Sequence, residues 1–198
     1  MSKDVILLNI VKMLTERNFL DPKKVDDNHK KLLGQKSEEN IYKLKSNYDD
    51  KKIYYIMFIF GKLTTIKKIH GIDAFMDLSK GHNRLFIANQ INQKTYKQFM
   101  ENNNTEVFFD EELYVNIIEH DLQPRFEVLS KEESENYYKS YKTKKLEIPR
   151  MLSTDPIARY YGLTGGEIIR IIRSSITSGY IVSYRIVLKT PTSVIFGN

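Results

Sequence analysis

The chain has 198 residues, with 31 Lys and Arg against 25 Asp and Glu, four His, no Cys and no Trp. That length holds one large domain or two small ones, and 41% hydrophobic with 28% charged residues is a globular rather than a disordered composition. The absence of cysteine excludes disulfides, thiolate zinc sites and a cysteine nucleophile together, and makes a reducing compartment the natural setting.

The longest apolar run, Ile53 to Phe60, falls far short of the ~20 residues that cross a bilayer. The N-terminus keeps Asp4 and lacks a small-residue cleavage site. Neither a membrane partner nor a signal peptide is expected. Charge is unevenly spread. Lys51 to Met100 carries nine bases and two acids, Glu101 to Asp121 seven acids and no base, and the chain from Tyr137 onward ten bases and three acids. A basic region, an acidic neck and a basic end point to two modules and to an anionic partner, either phosphate or an acidic protein.

Asp4 to Phe19 repeats apolar residues at helical spacing, with Ser2 or Asp4 to cap it and Asp21-Pro22 to end it. Asp26 to Leu33 reads as a second short helix closed by Gly34, and Ser37 to Lys52 as a polar loop. Ile53 to Phe60, apolar on both faces and stopped by Gly61, reads as a central strand. Thr65 to Leu78 is helical in spacing, Arg84 to Ala88 a buried strand, Thr95 to Met100 a short helix and Glu106 to Phe109 a third strand. Strands alternating with helices predict a small, mainly parallel α/β sheet over residues 1–120.

Beyond Asp121 the pattern changes. Pro124 to Leu129 reads as a strand, and Ser130 with Glu133 as a capping box for a helix reaching about Tyr141. Lys142 to Lys145 is a basic loop. Thr154 or Asp155 as N-cap, Pro156 at the first helical position and Gly162 as a left-handed stop bound a helix of little more than one turn. Gly165-Gly166 makes a turn. Glu167 to Arg173 has isoleucine spacing that suits either a helix or a strand; its β-branched content after a Gly-Gly turn favours the strand. Tyr180 to Leu188 alternates as a strand, with Ser174 to Gly179 as hairpin loop. Residues 121–198 are thus expected to form a compact α+β module.

Several chemistries have no motif here. There is no glycine-rich phosphate loop, no His-x-x-x-His pair and no Gly-x-Ser-x-Gly elbow. No cofactor and no small-molecule substrate are expected. Asp50 and Lys52, with Asp26 and Asp27 upstream, supply the residue types of a magnesium-dependent nuclease. Their spacing is loose and they lie in a polar segment, so this is the alternative reading.

Met151 to Leu188 carries the strongest signature. Ile148-Pro149-Arg150, Asp155 to Tyr160 closed by Gly162, Ile171-Ile172-Arg173 and Tyr184-Arg185 occur in that order. Upstream of them stand the neck Glu112 to His120, then Pro124, then Ser130-Lys131-Glu132-Glu133. This pattern closely resembles the fifth shared subunit of eukaryotic nuclear RNA polymerases and its archaeal counterpart over Glu112 to Leu188. Ile66-Lys67-Lys68-Ile69 resembles the start of a helix in the same family's N-terminal part. Departures are Asn92-Gln93-Lys94-Thr95 where the family has a proline-containing loop, Ser174 for a proline, Ile176 for a glutamate, Thr164-Gly165-Gly166 for a Lys-Arg-Gly turn, and a longer tail, Lys189 to Asn198.

The resemblance implies a non-catalytic subunit of DNA-directed RNA polymerase. Its N-terminal jaw would face downstream duplex DNA, and its C-terminal assembly domain would dock on the largest polymerase subunit. It implies transcription in a nucleus for a cellular copy, or a virion and host cytoplasm for a viral one. Arg150, Asp155, Pro156, Arg159, Tyr160, Arg173 and Arg185 are the expected partner-binding residues. Arg and Tyr suit such a role, through paired guanidinium bonds to carboxylates and through contact area with a hydroxyl. Arg159 equally has Asp155 four residues away as an internal partner. Lys94, Lys97, Lys67 and Lys68 are the expected phosphate contacts, Lys94 and Lys97 because they follow the C-terminal end of a strand.

Overall fold

The computed structural model describes residues 3–35, 40–66, 69–189 and 194–195. The chain divides into two compact units, Met1–Val115 and Asn116–Asn198.

In the first unit, α1 (Lys3–Glu16) turns Ile6, Leu7, Ile10, Val11, Met13 and Leu14 inward. The helix stops earlier than Asp21-Pro22. Asn18 takes a left-handed φ of 56°, and the Phe19 and Leu20 amides both return to the Leu14 carbonyl. Asp21 instead accepts from the Lys23 amide at 3.0 Å and opens a 3-10 turn, Pro22–Lys24, that leads into α2 (Val25–Leu33).

The segment expected to be a polar loop contains a strand, β1 (Ile41–Lys45), antiparallel to β2 (Ile53–Leu63). Only Leu44 of β1 is buried, so the strand has little apolar signal. β2, β3 (Asn83–Ile91) and β4 (Thr105–Phe109) are parallel, and the sheet order is β1-β2-β3-β4. β2 continues past Gly61 rather than ending there. The residue sits at φ 81° inside a bulge between Ile59 and Lys62, a conformation that favours glycine. α3 (Ile72–Leu78) is shorter than its spacing predicts, because Gly71 at φ 75° sets its start. α4 (Gln93–Met100) and α5 (Asp110–Tyr114) complete the unit. Phe86 joins the layers, its ring centroid 5.1 Å from Phe75 on α3 and 4.4 Å from Phe99 on α4.

The outer edge of β1 is guarded. The Gln35 side-chain amide donates to the Lys43 carbonyl at 2.7 Å, and its oxygen accepts from the Lys43 amide at 2.8 Å. One side chain thus takes the place of a neighbouring strand, which blunts an edge that would otherwise pair with other chains. Gln35→Leu is expected to lower stability by about 1 kcal/mol and to make the chain self-associate. Thermal melting together with concentration-dependent light scattering checks both effects.

The second unit comprises β5 (Arg125–Val128), α6 (Lys131–Tyr141), β6 (Arg150–Leu152), α7 (Pro156–Tyr160), β7 (Ile168–Ser175) and β8 (Gly179–Leu188), in the sheet order β5-β7-β8-β6. A 3-10 turn, Ile117–Glu119, packs Ile117 and Ile118 against this unit's core. The ambiguous isoleucine run is a central strand, hydrogen-bonded to β5 on one side and β8 on the other. The sheet separates two apolar clusters. Ile169, Ile171 and Val187 meet Ile157 and Ala158 of α7, whereas Ile168 and Ile186 meet Leu129 and Ile148 under Tyr137 and Tyr138 of α6. Ser130 accepts from the Glu133 amide at 3.2 Å while Glu133 accepts from the Ser130 amide at 2.8 Å, the reciprocal cap expected from the sequence. Among the described residues no helix is long and apolar enough to cross a membrane.

Candidate docking surface

The corner before α7 is built as its residue types require. Asp155 accepts from the Ile157 amide at 2.9 Å, Pro156 occupies the first helical position, and Gly162 at φ 65° ends the turn. The helix lays Ile157 and Ala158 on the sheet. Tyr160, three residues after Ile157, therefore lies on the inward side and is only 5% exposed. This corrects the expectation that Tyr160 faces a partner: a five-residue helix on a sheet has one outward side, and Tyr160 is not on it. Pro156 is exposed, and Asp155 and Arg159 are half-buried.

The strand registers sort the arginines. Arg173 pairs with Ile181 and Arg185 with Ile169, and all four share the face that carries Ile171 and Val187 under α7. Arg173 is exposed and Arg185 half-buried. Arg150 pairs with Ile186 in the parallel ladder and so belongs to the other face, where it is exposed. The structure therefore gathers Arg173 and Arg185 on one side of the sheet with α7 and leaves Arg150 on the opposite side.

On the α6 side lies a row that the sequence did not disclose. Glu127, Arg170 and Tyr184 are consecutive cross-strand partners on β5, β7 and β8. Arg170 donates to Glu127 at 2.9 Å, its guanidinium lies 5.8 Å from the Tyr184 ring centroid, and Glu127 also pairs with Arg125 at 2.8 Å. Burial opposes the Arg170 charge, but Tyr184 and Glu127 together hold its pKa above the ordinary arginine value. Tyr137 of α6 closes over Tyr184 with ring centroids 4.4 Å apart, and Tyr141 stands 4.8 Å from Tyr137. Strand register alone brings this row together, because Glu127 and Arg170 are 43 positions apart.

The β7–β8 hairpin outruns the rest of its sheet. β5 pairs only as far as Ile172, and β6 only with Ile186 to Leu188. The remaining two-stranded ribbon leaves Tyr180, Ile181 and Val182 at 73%, 52% and 49% exposure, with Ile176 at its tip fully exposed. The alternation expected over Tyr180 to Leu188 holds in the strand's geometry, but burial is confined to Ile186 and Val187 because no layer covers the outer half. From Ile168 to Lys189 the hairpin carries Arg170, Arg173, Arg185 and Lys189 and no acid. Where β5 departs from β7, a cleft of about 910 Å³ opens between Asp121, Pro124 and Arg125 on one side and Arg173, Ser174 and Tyr180 on the other. Exposed apolar groups beside guanidinium groups are the composition of a protein–protein contact.

In the first unit, Lys94 and Lys97 are exposed on α4, which follows the C-terminal end of β3. The Asn92 side chain caps this helix, accepting from the Thr95 amide at 2.8 Å and donating to the Thr64 carbonyl at 3.1 Å. Lys67 and Lys68 lie outside the described residues. The nuclease alternative finds no support. Asp50, Lys52, Asp26 and Asp27 are all exposed, and among the described residues no group of three His, Asp or Glu side chains could hold a metal ion.

The second unit is a small mixed sheet whose apolar, cationic ribbon has the composition of a protein–protein contact surface. Residues 115–187 match the family described as RNA polymerase Rpb5, C-terminal domain. The chain is 30% identical over 192 residues to DNA-directed RNA polymerase subunit 5 of Acanthamoeba polyphaga mimivirus, covering 93% of this chain and 91% of that protein. It is 28% identical over 186 residues to the subunit rpabc1 of DNA-directed RNA polymerases I, II and III of Dictyostelium discoideum, covering 89% and 92%. An 83-residue match to the corresponding Caenorhabditis elegans subunit reaches 43% identity, over 42% of this chain and 39% of that protein. The chain belongs to the subunit 5 family of DNA-directed RNA polymerases, a family of non-catalytic subunits with cellular and viral members. Its role is that of a polymerase subunit in transcription, and other polymerase subunits are its partners.

Proposed function

We propose that the second unit is an assembly domain that docks on the largest polymerase subunit and that the first is a jaw that contacts downstream duplex DNA. The observation that carries the docking half is the uncovered ribbon, with Tyr180, Ile181 and Val182 exposed beside Arg173. Apolar area gives such a contact its strength and the arginines give it direction, by pairing with carboxylates that would otherwise stay hydrated. Pro156, Arg159 and Arg185 lie on or beside the same sheet face and form its periphery, while Asp155 holds the corner in shape. Arg150 would make a separate contact from the opposite face. Tyr160 contributes packing rather than contact.

For the jaw, Lys94 and Lys97 supply phosphate attraction without base reading, which suits an enzyme that travels along any sequence. Lys67 and Lys68 belong to the same proposal by charge alone. Location follows the host: the nucleus for a cellular enzyme, the virion and host cytoplasm for a viral one.

Co-expression of the full chain with the largest subunit of its own polymerase, followed by affinity capture, tests the docking half. Retention at near-stoichiometric yield is expected, and absence of retention in the presence of the other subunits overturns it. For the DNA half, the Lys94→Glu/Lys97→Glu double variant is expected to lower the log–log salt slope of duplex binding by the assembled polymerase by about 2. An unchanged slope removes these two lysines from the interface.

A further inference from the structure

We infer that the free edge of β8 takes an extended strand from a polymerase partner by backbone pairing; this rests on the assembly reading above and specifies how that contact is made. Hydrogen bonding along an antiparallel ladder alternates in direction from one residue to the next. The Val187 amide donates to the Glu167 carbonyl, toward β7, and the Ile186 amide donates to the Pro149 carbonyl, toward β6, both within hydrogen-bond distance at 2.8 and 2.9 Å. Even-numbered residues of β8 therefore present their backbone groups on the β6 side. β6 occupies that edge only at Ile186 to Leu188. The next even positions, Tyr184 and Val182, make no backbone hydrogen bond on that side among the described residues, and Val182 is half exposed. The Tyr180 amide is turned back to the Ser178 carbonyl at 2.8 Å, which ends the open stretch.

The first unit handles the same situation in the opposite way. Its β1 edge is plugged by the Gln35 amide. Among the described residues the β8 edge has no such plug; the strand has no proline and no acid, and it is flanked by exposed apolar side chains, the combination that favours strand addition.

The flanking side chains state the chemistry of the added strand. On the α6 face it would lie beside Tyr180, Val182 and Tyr184; on the α7 face it would lie beside Ile181, Ser183 and Arg185, with Arg173 one strand further in. The occupant is therefore an extended segment of about five residues that alternates apolar side chains with carboxylates, the apolar set turned to the α6 face and the carboxylates to the arginines.

Val182→Pro is the direct test. It removes an outward amide and leaves the bonds to β7 in place, a substitution that edge strands accept. In the full chain co-expressed with the largest subunit, Val182→Pro is expected to reduce retention at least tenfold with an unchanged melting temperature, whereas Val182→Ile, which keeps both the amide and the apolar side chain, is expected to be retained at least threefold better than Val182→Pro. Amide hydrogen exchange on the unsubstituted chain is read in parallel, so that the inference does not depend on the proline variant folding. Exchange at Val182 and Tyr184 is expected to slow at least a hundredfold on assembly. Retention of folded Val182→Pro at the parental level, or unprotected Val182 and Tyr184 amides in an assembled complex, overturns strand addition while leaving the assembly reading intact. Failure of the unsubstituted chain to assemble overturns both.

Discussion

Arg17→Met is expected to destabilise the first unit by about 3 kcal/mol, the range for breaking a buried ion pair and leaving its partner behind. Arg17 follows α1 and forms a fork on Glu106 of β4, Nη1 donating to Oε1 and Nη2 to Oε2, each at 2.8 Å. The Tyr54 hydroxyl of β2 sits between them, 3.2 Å from each. Burial by itself would lower the Arg17 pKa, but the Glu106 carboxylate and Tyr54 hold it above the usual value. The clamp ties the end of α1 to two strands of the sheet. Glu106 is partly exposed, so the loss falls at the lower end of the range. With no tryptophan in the chain, urea unfolding followed by far-UV circular dichroism is the measurement. The double change Arg17→Met/Glu106→Leu is expected to recover more than half of the loss, because it removes both charges together.

The same clamp gives the unit an alkaline limit. Burial, then the Glu106 charge, pushes the Tyr54 phenol up from 10.0 to about 12. The folded state thus holds this proton more tightly than the unfolded chain does. Its contribution is complete below pH 10 and is lost as pH rises through about 12, a change on the order of 2 to 3 kcal/mol. Tyr54→Phe is expected to flatten that part of the stability–pH profile, and an unaltered profile would show that the proton is held elsewhere.

Arg173→Glu combined with Ile181→Asp is expected to lower retention on the largest subunit by two to three orders of magnitude, taking about 2 kcal/mol for each central contact residue. The two are exposed cross-strand partners on the outer ribbon and belong to neither buried cluster, so the melting temperature is expected to stay within a few degrees. Charge reversal places a carboxylate where the arginine would meet one, and the aspartate adds a desolvation cost at the apolar centre. Full retention of the double variant would move the contact away from the ribbon. It would then turn attention to Arg150 and the Glu127–Arg170–Tyr184 row on the other face.

The amino-acid order by itself determined the elements whose signals are local: the Ser130 capping box, the Asp155-Pro156 corner with its Gly162 stop, the buried β2 run, and the family pattern from Glu112 to Leu188. Each depends on residues within a few positions of one another, where backbone sterics and nearby hydrogen bonds set the outcome. Only the tertiary structure decided the rest. β1 is a strand because β2 and Gln35 complete its hydrogen bonds, not because its own side chains require it. Tyr160 turns inward because α7 must lay Ile157 and Ala158 on the sheet. Arg170 finds Glu127, and Arg17 finds Glu106, across 43 and 89 positions, by strand registers that no local pattern carries. The exposed ribbon follows from a mismatch in strand lengths, since β7 and β8 continue where β5 and β6 have ended, and side chains that alternate as a core strand should are left without a layer to cover them.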